Sequence, residues 1–166
     1  DVEAGACRMQ IADGHNGAVT TVCCSPASER YAASGSIDGT IRVWDIIDGR
    51  EERVLAGHAS AVWAVSYAPD GSVVASSSSD KTVRLWSVAT GEALCVVRGH
   101  SKLVADVKIT ADGSKLLSCS ADRTVRLWDI CTGEQLACAE GDGAFTAVSV
   151  GDDYVVAVGC ATGELY

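Results

Sequence analysis

The sequence predicts an all-β chain of about four four-stranded antiparallel blades, three clear and one degenerate, forming part of a propeller. Three observations carry this reading. Gly14-His15, Gly57-His58 and Gly99-His100 open units 43 and 42 residues apart. Asp38, Asp80 and Asp122 recur at intervals of 42, as do Trp44, Trp86 and Trp128. Between these landmarks lie short β-type runs broken by turn signals, with 17 Gly against two Pro. One register held over three units is a repeat. Four short strands cannot bury both faces of their own sheet, but sheets stacked around an axis bury one another.

From the N-terminus, residues 1–13 hold a leading strand at 8–12, placed as the last strand of a preceding or closing blade. Residues 14–56 make the first blade, with Thr40–Trp44 as its third strand. Residues 57–98 make the second. There Ala61–Tyr67 alternates loosely and is rich in Val and aromatics. Ala68-Pro69-Asp70-Gly71 is a turn, with Pro presetting φ and Gly accepting a positive one. Val73–Ser77 is the next strand, Ser79-Asp80-Lys81 turns the chain, and Thr82–Trp86 and Ala93–Val97 complete the unit. Residues 99–140 repeat the plan, with Thr124–Trp128 third. Residues 141–166 read as a degenerate, truncated fourth blade. Gly141-Asp142 replaces Gly-His, Val155–Val158 and Gly163–Tyr166 read as strands, and Thr162 stands where the other units have Asp. Lacking its polar pins, this blade is expected to be the loosest. The count is sixteen strands. Three arrangements stay open: a fragment of a larger ring, half of an eight-bladed ring completed by a second copy, and a closed four-bladed ring. A first residue of Asp1 rather than Met points to a processed chain or a fragment.

Composition narrows the function. At 48% apolar and 21% charged, the 166 residues suffice for a packed core. A net charge of −9 argues against a nucleic-acid footprint and against a polybasic membrane patch. Residues 130–166 carry six acids and no base, so this end is a solvated acidic region or a face for a basic partner. No uncharged apolar run is long enough to span a membrane, and the first residues lack the plan of a signal peptide. The eight Cys form no CxxC or CxxxC, so no metal site and no cofactor is expected. Cys23 and Cys24 are adjacent, and Cys95, Cys119 and Cys160 sit in apolar runs, which reads as reduced thiols used as small buried hydrophobes. Reduced thiols imply cytoplasm or nucleus.

The Gly-His openings, with Trp44-Asp45 and Trp128-Asp129 closing two units, resemble the WD-repeat (WD40) β-propeller family. The resemblance is strong over 14–129 and weak over 141–166. Unit two departs with Trp86-Ser87. Each full unit holds a His, Ser, Asp and Trp: His15, Ser34, Asp38, Trp44; His58, Ser76, Asp80, Trp86; and His100, Ser118, Asp122, Trp128. A hydrolase needs such a set once, beside an oxyanion hole, and no Gly-x-Ser-x-Gly elbow accompanies these. The resemblance implies instead a hydrogen-bond chain that fixes blade geometry. Arg42, Arg84 and Arg126, two residues before each Trp, read as inter-blade stem packing or as partner contacts.

With no catalytic residue expected, the resemblance implies an interaction platform whose top face is built from residues three and five after each His and the residue before the turn Asp. Those positions are Ala18, Thr20, Ile37; Ala61, Trp63, Ser79; Leu103, Ala105, Ala121; and, in the weak unit, Phe145, Ala147, Ala161. None is charged. Trp63 lies outside the repeat signature and reads either as a binding hot spot or as packing between blades. Lys81, Arg123 and Lys102 rim the same face and offer cations to an acidic or C-terminal group. The Arg that adaptor-binding ubiquitin-ligase receptors of this family carry three residues after Trp is absent, since Ile47, Ala89 and Cys131 stand there. The expected function is a non-enzymatic scaffold for a peptide segment of a protein partner. The alternative is an architectural blade set within a larger sensor or assembly factor.

Overall fold

Four antiparallel sheets follow one another along the chain in a computed structural model that describes residues 10–11, 14–151 and 156–166. The first contains β1 (Val19–Cys24), β2 (Tyr31–Ser36), β3 (Thr40–Asp45) and β4 (Arg50–Ala56). The second contains β5 (Val62–Tyr67), β6 (Val73–Ser78), β7 (Thr82–Ser87) and β8 (Ala93–Arg98). The third contains β9 (Val104–Ile109), β10 (Lys115–Ser120), β11 (Thr124–Asp129) and β12 (Gln135–Glu140). The fourth pairs β13 (Phe145–Val150) with β14 (Val156–Cys160). Strands are adjacent in chain order in every sheet, and no helix occurs among the described residues. These are the four blades, and the inner strands β1, β5, β9 and β13 pack side by side in series.

Apolar clusters lie between neighbouring blades. Val43 and Leu55 of the first meet Val65 and Trp86 of the second, Val83 and Val97 meet Val107 and Trp128, and Leu117 and Val125 meet Phe145 and Val158. Polar bonds cross the same seams. The Thr20 hydroxyl donates to Val62 O at 2.6 Å, Ile109 N–H to Ser66 Oγ at 3.2 Å, and Val148 N–H to Asp106 Oδ2 at 3.0 Å.

Among the described residues the series does not close on itself into a four-bladed ring. On the first blade Val19 and Val22 remain 57% and 69% exposed. At the other end every residue of β12 is exposed, whereas Leu55 of β4 and Val97 of β8 are buried by the blade that follows. Most of the expected leading strand at 8–12 lies outside the described residues, and Gln10 and Ile11 are not in a strand. Position 155, the expected start of a strand in the fourth blade, also lies outside them. Gly163–Tyr166 contributes a single bridge, Gly159 to Leu165, in place of a full strand.

Two irregularities position the site. Each inner strand bulges at its second residue: Thr20, Trp63, Ala105 and Thr146 have no partner across the ladder. A bulge re-aims the extra side chain and twists the strand. The loop into the fourth blade is also one residue shorter. Val62 follows Gly57 by five positions and Val104 follows Gly99 by five, but Phe145 follows Gly141 by four. Counting forward from Asp142 therefore overshoots. Ala144 O accepts from Ala161 N–H as Ala18 O does from Ile37, Ala61 O from Ser79 and Leu103 O from Ala121.

The thiols divide into three groups, of which Cys23 and Cys95 are half-buried. All seven Cys among the described residues are free. Cys119 and Cys160 are buried as expected, but Cys24, Cys131 and Cys138 are exposed on strand edges and turns, so burial does not account for them.

Candidate functional site

The Gly-His loop, the β2–β3 turn and their counterparts in later blades lie at one end of each sheet, the top. Here the structure joins the His, Ser, Asp and Trp of every full unit. In the second blade Trp86 Nε1–H donates to Ser76 Oγ at 2.8 Å, Ser76 lies 2.7 Å from His58 Nε2, and His58 Nδ1 lies 2.8 Å from Asp80 Oδ2. In the third, Trp128 to Ser118, Ser118 to His100 and His100 to Asp122 measure 2.8, 2.8 and 2.9 Å. In the first, Trp44 to Ser34, Ser34 to His15 and His15 to Asp38 measure 2.7, 2.7 and 3.1 Å. One proton order satisfies the chain: indole N–H to serine, serine O–H to Nε2, Nδ1–H to carboxylate. It requires neutral imidazoles. Burial pushes the His58 and His100 pKa values down, against the opposing pull of Asp80 and Asp122.

Sequence reasoning missed a fifth member. Thr40, Thr82 and Thr124 each donate a hydroxyl to Oδ1 of the turn Asp at 2.6 Å, and their backbone N–H groups donate to the same oxygen. Oδ2 also accepts a backbone N–H from Asn16, Ala59 or Ser101. Burial alone raises these carboxyl pKa values. The donors outweigh it, and Asp38, Asp80 and Asp122 fall to about 2. The three Thr recur at intervals of 42, so the signal was present.

The Asp after Trp has its own task. Asp45 accepts from Ile47 and Asp48 N–H at 3.0 Å, and Asp129 from Cys131 and Thr132 N–H at 3.0 and 2.9 Å, capping the β3–β4 and β11–β12 turns. Ser87, in the same place, receives one bond, from Thr90 N–H at 3.2 Å. In the second and third units the Gly before His is a matter of room, whereas a Cβ on Gly14 would make ordinary contact with Trp44 at 3.5 Å. A Cβ on Gly99 would stand 2.8 Å from both Arg126 Nη1 and Trp128 Cη2, and one on Gly57 2.9 Å from Arg84 Nη1. Arg84 lies over the Trp86 ring at 5.8 Å, and Arg42 pairs with Glu51. Both of these guanidinium contacts lie within a blade.

On the top face the bulge turns Trp63 outward. The residue is 41% exposed and its indole N–H donates to Ser79 Oγ at 2.6 Å. Ile37 is 50% exposed, and Leu103 is half-buried. Lys81, Lys102 and Arg123 are exposed at the rim. The Thr20 hydroxyl is already committed across the first seam. Phe145 is a correction. The shortened loop makes it the equivalent of Val62 and Val104, so it is 3% exposed and packs edge-on against Tyr166, with ring centroids 5.6 Å apart. Ala144 and Thr146 take the surface positions expected for Phe145 and Ala147. No cluster of three or more metal-ligating groups occurs among the described residues.

Three repeated blades pinned this way define a WD-repeat propeller segment. A family model described as "WD domain, G-beta repeat" matches residues 6–45, 49–87 and 91–129, and the chain belongs to that family. It is 42% identical over 53 residues to Pre-mRNA-splicing factor PRP46 of Eremothecium gossypii, a match covering 32% of this chain and 12% of that protein. It is 36% identical over 57 residues to Non-functional target of rapamycin complex subunit LST8-2 of Arabidopsis thaliana, covering 34% and 18%. It is 40% identical over 58 residues to Ribosome assembly protein 4 of Chaetomium thermophilum, covering 35% and 11%. The matched stretch is thus less than a fifth of each relative's length.

Proposed function

We propose that this chain is a non-enzymatic interaction scaffold that holds a peptide segment of a protein partner on the top face around Trp63, in cytoplasm or nucleus. The observation that carries the proposal is Trp63 itself: a bulge aims it out of the sheet, a hydrogen bond to Ser79 holds it, and 41% of it faces solvent. Trp is among the residue types most enriched in binding hot spots. The Ser, His and Asp groups support the same reading, because their donors and acceptors are spent on one another. Names such as splicing factor, complex subunit and ribosome assembly protein among the relatives agree with a role in protein assemblies.

Trp63→Ala is the test. Partner peptides are expected to bind at least about tenfold more weakly while the melting temperature moves by no more than about 2 °C, because the ring leaves no cavity behind. A variant that unfolds would make Trp63 a packing residue.

The open end faces favour a second reading. Val19 and Val22 at one end and β12 at the other are shaped as propeller seams without neighbours. In that reading the chain is an architectural blade set, completed by further blades or by a second copy of itself in an eight-bladed ring. A doubled solution mass would mark the latter.

A further inference from the structure

Charge on this acidic chain is uneven rather than sorted by end: Arg30 and Arg50 pair with Asp45 and Asp48 at the bottom, and Glu140, Asp142 and Glu164 are exposed at the top of the third and fourth blades. The bottom turns carry exposed Glu29, Asp48, Asp70, Glu92, Asp112 and Glu134. The top of the second and third blades carries Lys81, Arg98, Lys102 and Arg123, all exposed. Arg98 joins the three cations legible in the sequence because it pairs with Thr82 in the ladder, next to Lys81. Among the described residues no carboxylate pairs with Lys81, Arg98 or Lys102, and Arg123 meets only Glu140, at 3.5 Å between exposed groups. The turn carboxylates Asp80 and Asp122 are 8% and 3% exposed and filled by internal donors, so they do not neutralise this surface.

The backbone holds two of these cations in an unusual way. Lys81 and Arg123 sit at φ 72° and 70°, where the first blade has Gly39 at 82° and the fourth Gly163 at 92°. A side chain with a Cβ is disfavoured there, and residues held in such conformations concentrate at ligand clamps. Trp63 is tied to this turn through Ser79, two residues before Lys81. Leu103 is tied to the next through Ser120, whose hydroxyl donates to Leu103 O at 2.7 Å and whose carbonyl accepts from Arg123 N–H.

We infer that the segment bound on the top face is an acidic peptide, with an apolar side chain on Trp63 and Leu103 and several carboxylates spread over Lys81, Arg98, Lys102 and Arg123. The inference rests on the top-face reading above. Four cations across two blades match a run of Asp and Glu better than one terminal carboxylate. The net charge of −9 repels a polyanion such as RNA beyond this patch.

A random decapeptide display library selected on the chain tests this. Asp plus Glu are expected to be enriched about twofold or more, at low salt most strongly. In Lys81→Gly/Arg123→Gly, which replaces both cations by the residue this backbone prefers, the enrichment should fall to background while Trp63-dependent selection persists. Trp63-dependent peptides without acidic bias would overturn the acidic inference and leave the top-face reading standing. Selected peptides that bind equally to Trp63→Ala, or none selected at all, would overturn both. Binding of poly(U) RNA through the same four cations, in preference to any peptide, would also overturn it.

Discussion

Asp80 receives four donors from two other segments of its blade: the His58 imidazole and Ala59 N–H of the Gly-His loop, and the Thr82 N–H and hydroxyl at the start of β7. Removing its carboxylate leaves them facing a buried void. Each unsatisfied buried group costs about 1–3 kcal/mol, with partial relief by water. Asp80→Ala should therefore lower the melting temperature by about 5–10 °C, read by circular dichroism. The same groups set the response to acid. His58 and His100 titrate below 6.5 in the folded chain, so the unfolded chain binds more protons as pH falls through about 6.5, and stability declines. A second loss follows from about pH 4 down to about 2, as the turn carboxylates lose their donors' benefit. Melting temperature against pH should fall in two stages, and Asp80→Ala should flatten the lower one. His, Ser, Asp and Trp were legible because their spacing is rigid. The Thr was hidden because a Thr at the start of a strand already has a reason to be there as a β-former, and its bond to Asp appears only in three dimensions.

Strand positions within the repeat were legible to within about a residue, since turn signals and β-branched runs alternate cleanly. Bulges were not. A bulge changes the pairing partner without changing the local composition, so Trp63 could be read as surface or core until its register was known. The fourth blade shows the same limit. Gly141 does match Gly57 and Gly99, but the loop after it is one residue shorter, and that moved Phe145 from the surface into the core. There Val158 stands in the place of Ser34 and Phe145 in that of Val19, so apolar packing replaces the polar chain. The β6–β7 turn yields a prediction at this scale. Lys81 at φ 72° carries left-handed strain of about 1 kcal/mol, partly offset by the extra freedom glycine has when unfolded. Lys81→Gly should keep or raise the melting temperature, by up to about 3 °C, while weakening acidic peptides. A marked fall in stability would show that Lys81 serves the fold.

For the molecule as a whole, repetition has two consequences. Each blade buries its inner apolar rows against a neighbour, so the series is stable in its middle and unfinished at its ends. Each of the three full blades also spends its polar groups internally, which leaves the top surface free to vary, and here it varies toward one ordered Trp among cations. That division between a repeated interior and an individual surface is the central claim. The four indole N–H resonances test it directly, in a proton–nitrogen correlation spectrum recorded as a selected acidic peptide is added. Those of Trp44, Trp86 and Trp128, each bonded to a buried Ser, should stay in place, and that of Trp63 should shift. A stationary Trp63 signal under saturating peptide, or movement of the three Ser-bonded indoles instead, would contradict the account.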